Sequence, residues 1–66
     1  MKSTTLEVLR RTYQQLQNLV DQLYAAAQAA LDNEDFSDAS LLESAADKLY
    51  VEAENLDILI SELEEQ

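Results

Sequence analysis

The stretch ASLLESAADKLYVEAENLDILISEL, Ala39 to Leu63, decides the fold. Ala39, Ala46, Ala53 and Ile60 recur every seven residues, and Leu42, Leu49, Leu56 and Leu63 follow each by three. Alternating steps of three and four keep one side of a helix apolar along its length. Sustained over four repeats, the pattern is the seam of a helical bundle or coiled coil. The alanines occupy heptad position a and the leucines position d, apart from Ile60 at the last a. Small and large residues in successive layers let helices approach closely and interdigitate.

The same period runs through the preceding segment, in Leu6, Leu9, Tyr13, Leu16, Val20, Leu23, Ala27 and Ala30. The chain contains neither Gly nor Pro, the residues that supply the tight turns of a small β domain. The spacing therefore predicts an all-α fold with one helix over about residues 4–31, a turn over about 32–35 and a second helix over about 36–64. Each helix would be roughly 40 Å long at ~1.5 Å per residue, and so short a turn forces the pair antiparallel. Local signals agree with these ends. Thr4-Thr5-Leu6-Glu7 reads as a capping box with Thr4 as cap. Asn33 is a residue able to take the left-handed conformation that ends a helix. Asp35 or Ser37 can cap the second helix, and Phe36 is expected to pack over the end of the hairpin.

With 66 residues and no Cys or His, the chain lacks disulfides and thiolate or imidazole zinc sites, the usual reinforcements of so small a core. Oligomerisation remains. Leu19, Tyr24, Ala26, Leu31, Ala45 and Leu59 widen the apolar side beyond a two-helix seam. The expected architecture is an antiparallel two-helix hairpin completing a four-helix bundle by homodimerisation. Its core would hold Leu6, Leu9, Tyr13, Leu16, Val20, Leu23, Ala27, Ala39, Leu42, Ala46, Leu49, Ala53, Leu56, Ile60 and Leu63. Another helical protein is the alternative source of the missing helices.

The net charge of −10 is unevenly spread. Up to Leu31, Lys2, Arg10 and Arg11 outweigh Glu7 and Asp21, whereas beyond it only Lys48 offsets twelve carboxylates. Such a surface repels phosphate and argues against nucleic-acid binding. In an antiparallel hairpin, Arg10 and Arg11, with Lys2 nearby, would meet Glu62, Glu64 and Glu65. No apolar run approaches the ~20 residues of a membrane span. Met1 to Thr5 lacks the layout of a signal peptide, so a cytoplasmic protein without membrane contact is expected.

Catalysis requires a nucleophile, an acid or base and a rigid pocket. Without His or Cys, with carboxylates on solvated helix faces, no catalytic residue, cofactor or metal site is assigned. Asp32 and Glu34 alternate at the acidic turn as calcium ligands can, but a calcium site is not expected there. An EF-hand loop needs Gly at its sixth position, and Ser37 stands there. A partner site is expected on the second helix. Val51 and Ile58 face outward one heptad apart, flanked by Tyr50 and Leu59 and rimmed by Glu54. The first helix carries a contrasting uncharged face of Gln14, Gln15, Gln17, Asn18, Gln22 and Gln28.

The two equal helices, single acidic turn and Ala39/Leu42/Ala46/Leu49/Ala53 layering resemble the plasmid-encoded Rop family. Ala46-Asp47-Lys48-Leu49-Tyr50 is similar to a stretch of that family's second helix. The resemblance, over about residues 30–56, implies an antiparallel homodimeric four-helix bundle and carries no site residues. Members of that family bind paired RNA loops through a basic and polar face on helix 1, where this chain has Gln and Asn. Small helical co-chaperones of type III secretion are also similar in length and hairpin form. The leading expectation is a non-enzymatic protein–protein interaction module, a regulator, adaptor or co-chaperone acting through helix packing. The alternatives are an acidic nucleic-acid mimic that inhibits a basic-groove protein and a Rop-like RNA-binding regulator.

Overall fold

A computed structural model describes residues 3–65. It is an all-α hairpin of two helices, α1 (Ser3–Asp32) and α2 (Phe36–Glu64), with no strand among the described residues. Met1 and Lys2, which enter the N-terminal and basic-cluster readings above, lie outside the described residues, as does Gln66. No helix among the described residues is long and apolar enough to cross a membrane.

The heptad register predicts burial closely. Val20, Ala27, Ala39, Ala46, Ala53 and Ile60, all at a positions, are the buried residues. The leucines at d (Leu9, Leu16, Leu23, Leu42, Leu49, Leu56 and Leu63) are each half-buried, as are Leu6, Tyr13 and Ala30. Alanine at a explains this division. Ala46, with 0% exposure, has no side chain beyond Cβ to hold the helices apart, so the backbones close over it. The leucines then project along one flank of the seam. The resulting rod measures 49 × 15 × 11 Å, a layer one helix deep with both broad sides open. Its radius of gyration of 15.1 Å exceeds the ~11 Å of a compact domain this long.

The helix ends depart from several sequence expectations. α1 begins at Ser3, so Thr4 lies inside its first turn and is not the cap of a Thr4/Glu7 box. At the other end the left-handed residue is Glu34, with φ 63°, and not Asn33. The Asp35 amide donates to the Ala30 carbonyl at 2.8 Å, and the Glu34 amide to that of Leu31 at 2.9 Å. These two bonds form a Schellman motif, which places its left-handed residue one position beyond Asn33. Asp35 occupies the N-cap position of α2, but its side chain makes no capping hydrogen bond, and Ser37 lies within the helix. Phe36 is 64% exposed and does not pack over the hairpin end. The reverse turn points its side chain outward where neither helix extends to meet it.

Within α1, side chains bond along the helix. Thr12 Oγ1 donates to the Val8 carbonyl at 2.9 Å, Gln14 Nε2 to Asn18 at 3.3 Å and Gln28 Nε2 to Asp32 at 3.1 Å. The two side-chain pairs, Gln14–Asn18 and Gln28–Asp32, each stabilise a helix by ~0.2–0.5 kcal/mol, whereas the Thr12 hydroxyl's bond to a backbone carbonyl does not.

Glu34 holds a conformation that glycine enters without steric cost. We predict that Glu34→Gly raises thermal stability by up to about 1 kcal/mol, net of the added freedom of the unfolded chain. In a domain this small that is a rise of a few degrees in Tm, measurable by circular dichroism. A midpoint at or below wild type would contradict the turn geometry.

Candidate functional site

The hairpin has two dissimilar sides, and the helix register determines what each carries. Polar cross-helix contacts identify one of them. Arg10 Nη2 lies 2.8 Å from Glu64 Oε1, and the Arg10 Nε donates to the same oxygen at 3.2 Å. The Tyr24 hydroxyl donates to Asp47 Oδ1 at 2.5 Å. Arg10, Glu64 and Tyr24 stand at e positions and Asp47 at b, so the e and b positions of both helices share this side. The Arg10 pair meets the sequence expectation for the open end of the hairpin. It also sets a guanidinium at the C-terminal end of α2, where the helix dipole is negative. Arg11 joins no ion pair among the described residues. Both partners of the Arg10–Glu64 pair are largely solvated, so it contributes only ~0–1 kcal/mol.

Between these contacts lies a groove of about 390 Å³, lined by Tyr13, Gln14, Gln17, Val20, Asp21, Tyr50, Ala53, Glu54 and Asp57. Its floor is the buried pair Val20 and Ala53. The Gln17 Nε2 donates to the Tyr13 hydroxyl at 2.8 Å. The Tyr50 hydroxyl is raised above its usual pKa, first by its hydrogen bond to Glu54 and then by that carboxylate's charge. Tyr24 is pushed up to about 12, chiefly by the hydrogen bond to Asp47, then by desolvation and by the charges of Asp47 and Glu43.

The opposite side carries the d leucines, flanked by positions g and c. There Leu19 and Leu59 at g, and Val8 and Leu41 at c, are exposed, Leu41 by 71%. Every charged residue of α1 (Glu7, Arg10, Arg11, Asp21 and Asp32) stands at b, e or f. The α1 half of the leucine face is therefore free of charge. On α2 it meets only Asp38, Lys48, Glu52 and Glu62.

Of the five residues expected to form a partner strip, all exposed on α2, four fall on the adjoining e, b and f positions and Leu59 on g. Tyr50 and Glu54 line the groove. Val51 and Ile58, 55% and 56% exposed, form a ridge on the back of α2 at f. Leu59 belongs to the leucine face. Sequence reasoning missed the groove because Tyr13, Val20 and Asp21 reach it from α1. The e–e pairing of antiparallel helices was the available signal. No group of carboxylates able to hold a metal ion occurs among the described residues. Comparison with protein-family models, curated proteins and solved structures returns no match, so the resemblance to Rop rests on the hairpin architecture.

Because the Tyr24 pKa is raised on folding, the stability it contributes is fully present below pH 10. It is lost as pH rises through about 12. Tyrosinate absorbance should therefore include a component titrating near pH 12, and Asp47→Asn should move that component down. An unchanged titration curve in the variant would contradict the Tyr24–Asp47 contact.

Proposed function

We propose that this chain is a non-enzymatic protein–protein interaction module whose leucine face packs on the same face of a second copy, completing a four-helix bundle. The observation that supports this reading most directly is the row of d leucines left partly exposed on both helices. Each keeps no more than about a third of its surface in water, so covering the remainder would add at most ~0.5–1 kcal/mol per leucine. The hairpin alone buries no large side chain completely, and its core is mostly alanine.

Surface area supports the same reading. The chain exposes 4916 Å², where a compact monomer of its 7.4 kDa mass would expose about 4,200 Å². The excess, roughly 700 Å², is close to the ~800 Å² that each partner contributes to a standard interface. The charge pattern favours a second copy over a basic partner on this face. Two chains of charge −10 repel, and a contact face with one half uncharged keeps most carboxylates on the far side. Interposed solvent screens them beyond ~8 Å. A basic partner would instead use the acidic flank.

That flank supports a second reading, an acidic surface for a basic protein. Glu43, Asp47, Glu54 and Asp57 share the e/b side, and none forms an ion pair among the described residues. RNA binding of the Rop kind gains no support from a flank so rich in carboxylates. The adaptor or regulatory role follows from a bundle whose core serves assembly while its outer flanks meet other molecules.

Leu49→Glu and Val51→Glu test the leucine face with equal added charge two residues apart. By light scattering and circular dichroism, Leu49→Glu should lose the dimer mass and most helicity. Val51→Glu should retain both. A Leu49→Glu chain that stays dimeric and helical would overturn the proposed interface.

A further inference from the structure

We propose that the groove on the e/b flank receives an arginine side chain from a partner protein, held between the tyrosines and the groove carboxylates. This rests on the interaction-module reading but not on dimerisation, because the groove and the leucine face lie on opposite sides of the hairpin.

Three features of the groove define its occupant. The first is charge. Asp21, Glu54 and Asp57 line it, no basic residue lines it, and the one ion pair among the described residues, Arg10–Glu64, lies at the end of the hairpin. Its complement is therefore cationic. The second is the spacing of those charges. The carboxylates come from both helices, and no group among the described residues converges closely enough to hold a metal ion. A point charge is thus poorly matched, whereas an extended organic cation can meet carboxylates on both walls.

The third feature is the aromatic lining. Tyr13 and Tyr50 stand on opposite helices over an apolar floor of Val20 and Ala53. The Tyr13 oxygen accepts from Gln17, so a neighbouring side chain positions that ring, and Tyr50 faces it from the other helix. A guanidinium is planar, stacks on aromatic faces and donates in a fork that matches carboxylates. An ammonium is a compact, strongly hydrated charge and uses this arrangement less well. The volume of about 390 Å³ falls near the small end of the usual ~300–1,000 Å³ for ligand pockets. It suits a side chain anchored on a partner rather than a large cofactor. The apolar floor takes the methylene stem, as long cationic side chains bury theirs on apolar surface.

The test uses the full chain and a fluorescent alanine-based helical peptide carrying arginines four residues apart, with its lysine counterpart as comparator. Binding is read by anisotropy at physiological ionic strength, and circular dichroism checks the fold of every variant. The arginine peptide should bind about tenfold more tightly than the lysine peptide, a 1.4 kcal/mol difference. Tyr50→Leu, and separately Glu54→Gln with Asp57→Asn, should each weaken arginine binding about tenfold. Glu43→Gln with Glu62→Gln removes as much charge outside the groove and should change affinity less than about twofold. Equal binding of the two peptides, equal weakening by groove and control variants, or no binding at all would overturn the proposal. Solution mass is read on the same samples, so failure of dimerisation and failure of the groove are told apart.

Discussion

The close approach of α1 and α2 over Ala39, Ala46 and Ala53 is the constraint on which the rest of this molecule depends. A larger residue at those positions would sit between the helices and hold them apart. Alanine lets the backbones meet, and the leucines at d are displaced to one flank, where they are half-covered. The packing that joins the two helices thus also creates the apolar face they cannot bury. A hairpin one helix deep has no further element to cover it. The proposal of another helical layer rests on this seam.

Charge placement follows the same division. α1 keeps all its charges at b, e and f, and α2 places most of its carboxylates there as well. Had those groups been spread evenly around the helices, a leucine face of this kind would carry desolvation costs on every turn. Their segregation leaves one side suited to apolar packing and the other to polar recognition. Arg10 and Glu64 join the two helices at the open end, and Tyr24 and Asp47 join them nearer the turn. Both contacts lie on the polar side, where solvent access does not oppose them. The groove with its two tyrosines lies between them. Apolar and polar surface are therefore assigned to different helix positions.

Much of this fold was legible in the residues. The three-and-four spacing of Leu6 through Ala30 and Ala39 through Leu63 identified the helices, their seam and the a/d register. The absence of Gly and Pro made a single polar turn the simplest connection. The antiparallel geometry, with the charges at its open end, brought Arg10 to the far end of α2. The turn was less legible, because the left-handed position depends on where the last helical hydrogen bond falls. A shift of one residue separates Asn33 from Glu34. Phe36 was misplaced because an aromatic beside a turn suggests packing, whereas this one is left largely exposed with no third element over it. The groove was hidden for a different reason. Its lining comes from a, b and e positions of both helices, and reading α2 alone joined Tyr50 and Glu54 to Val51, Ile58 and Leu59 without the wall that α1 supplies.

The central claim is that the hairpin completes its core with a second copy of itself. Thermal unfolding followed by circular dichroism over a wide range of chain concentration tests it most directly. A folded dimer in equilibrium with unfolded chains gains stability by mass action, so its Tm must fall on dilution. The expected result is a helical chain with a cooperative transition whose midpoint drops as concentration falls. A helical chain whose midpoint is independent of concentration would show that the hairpin is stable alone, and the account would be contradicted.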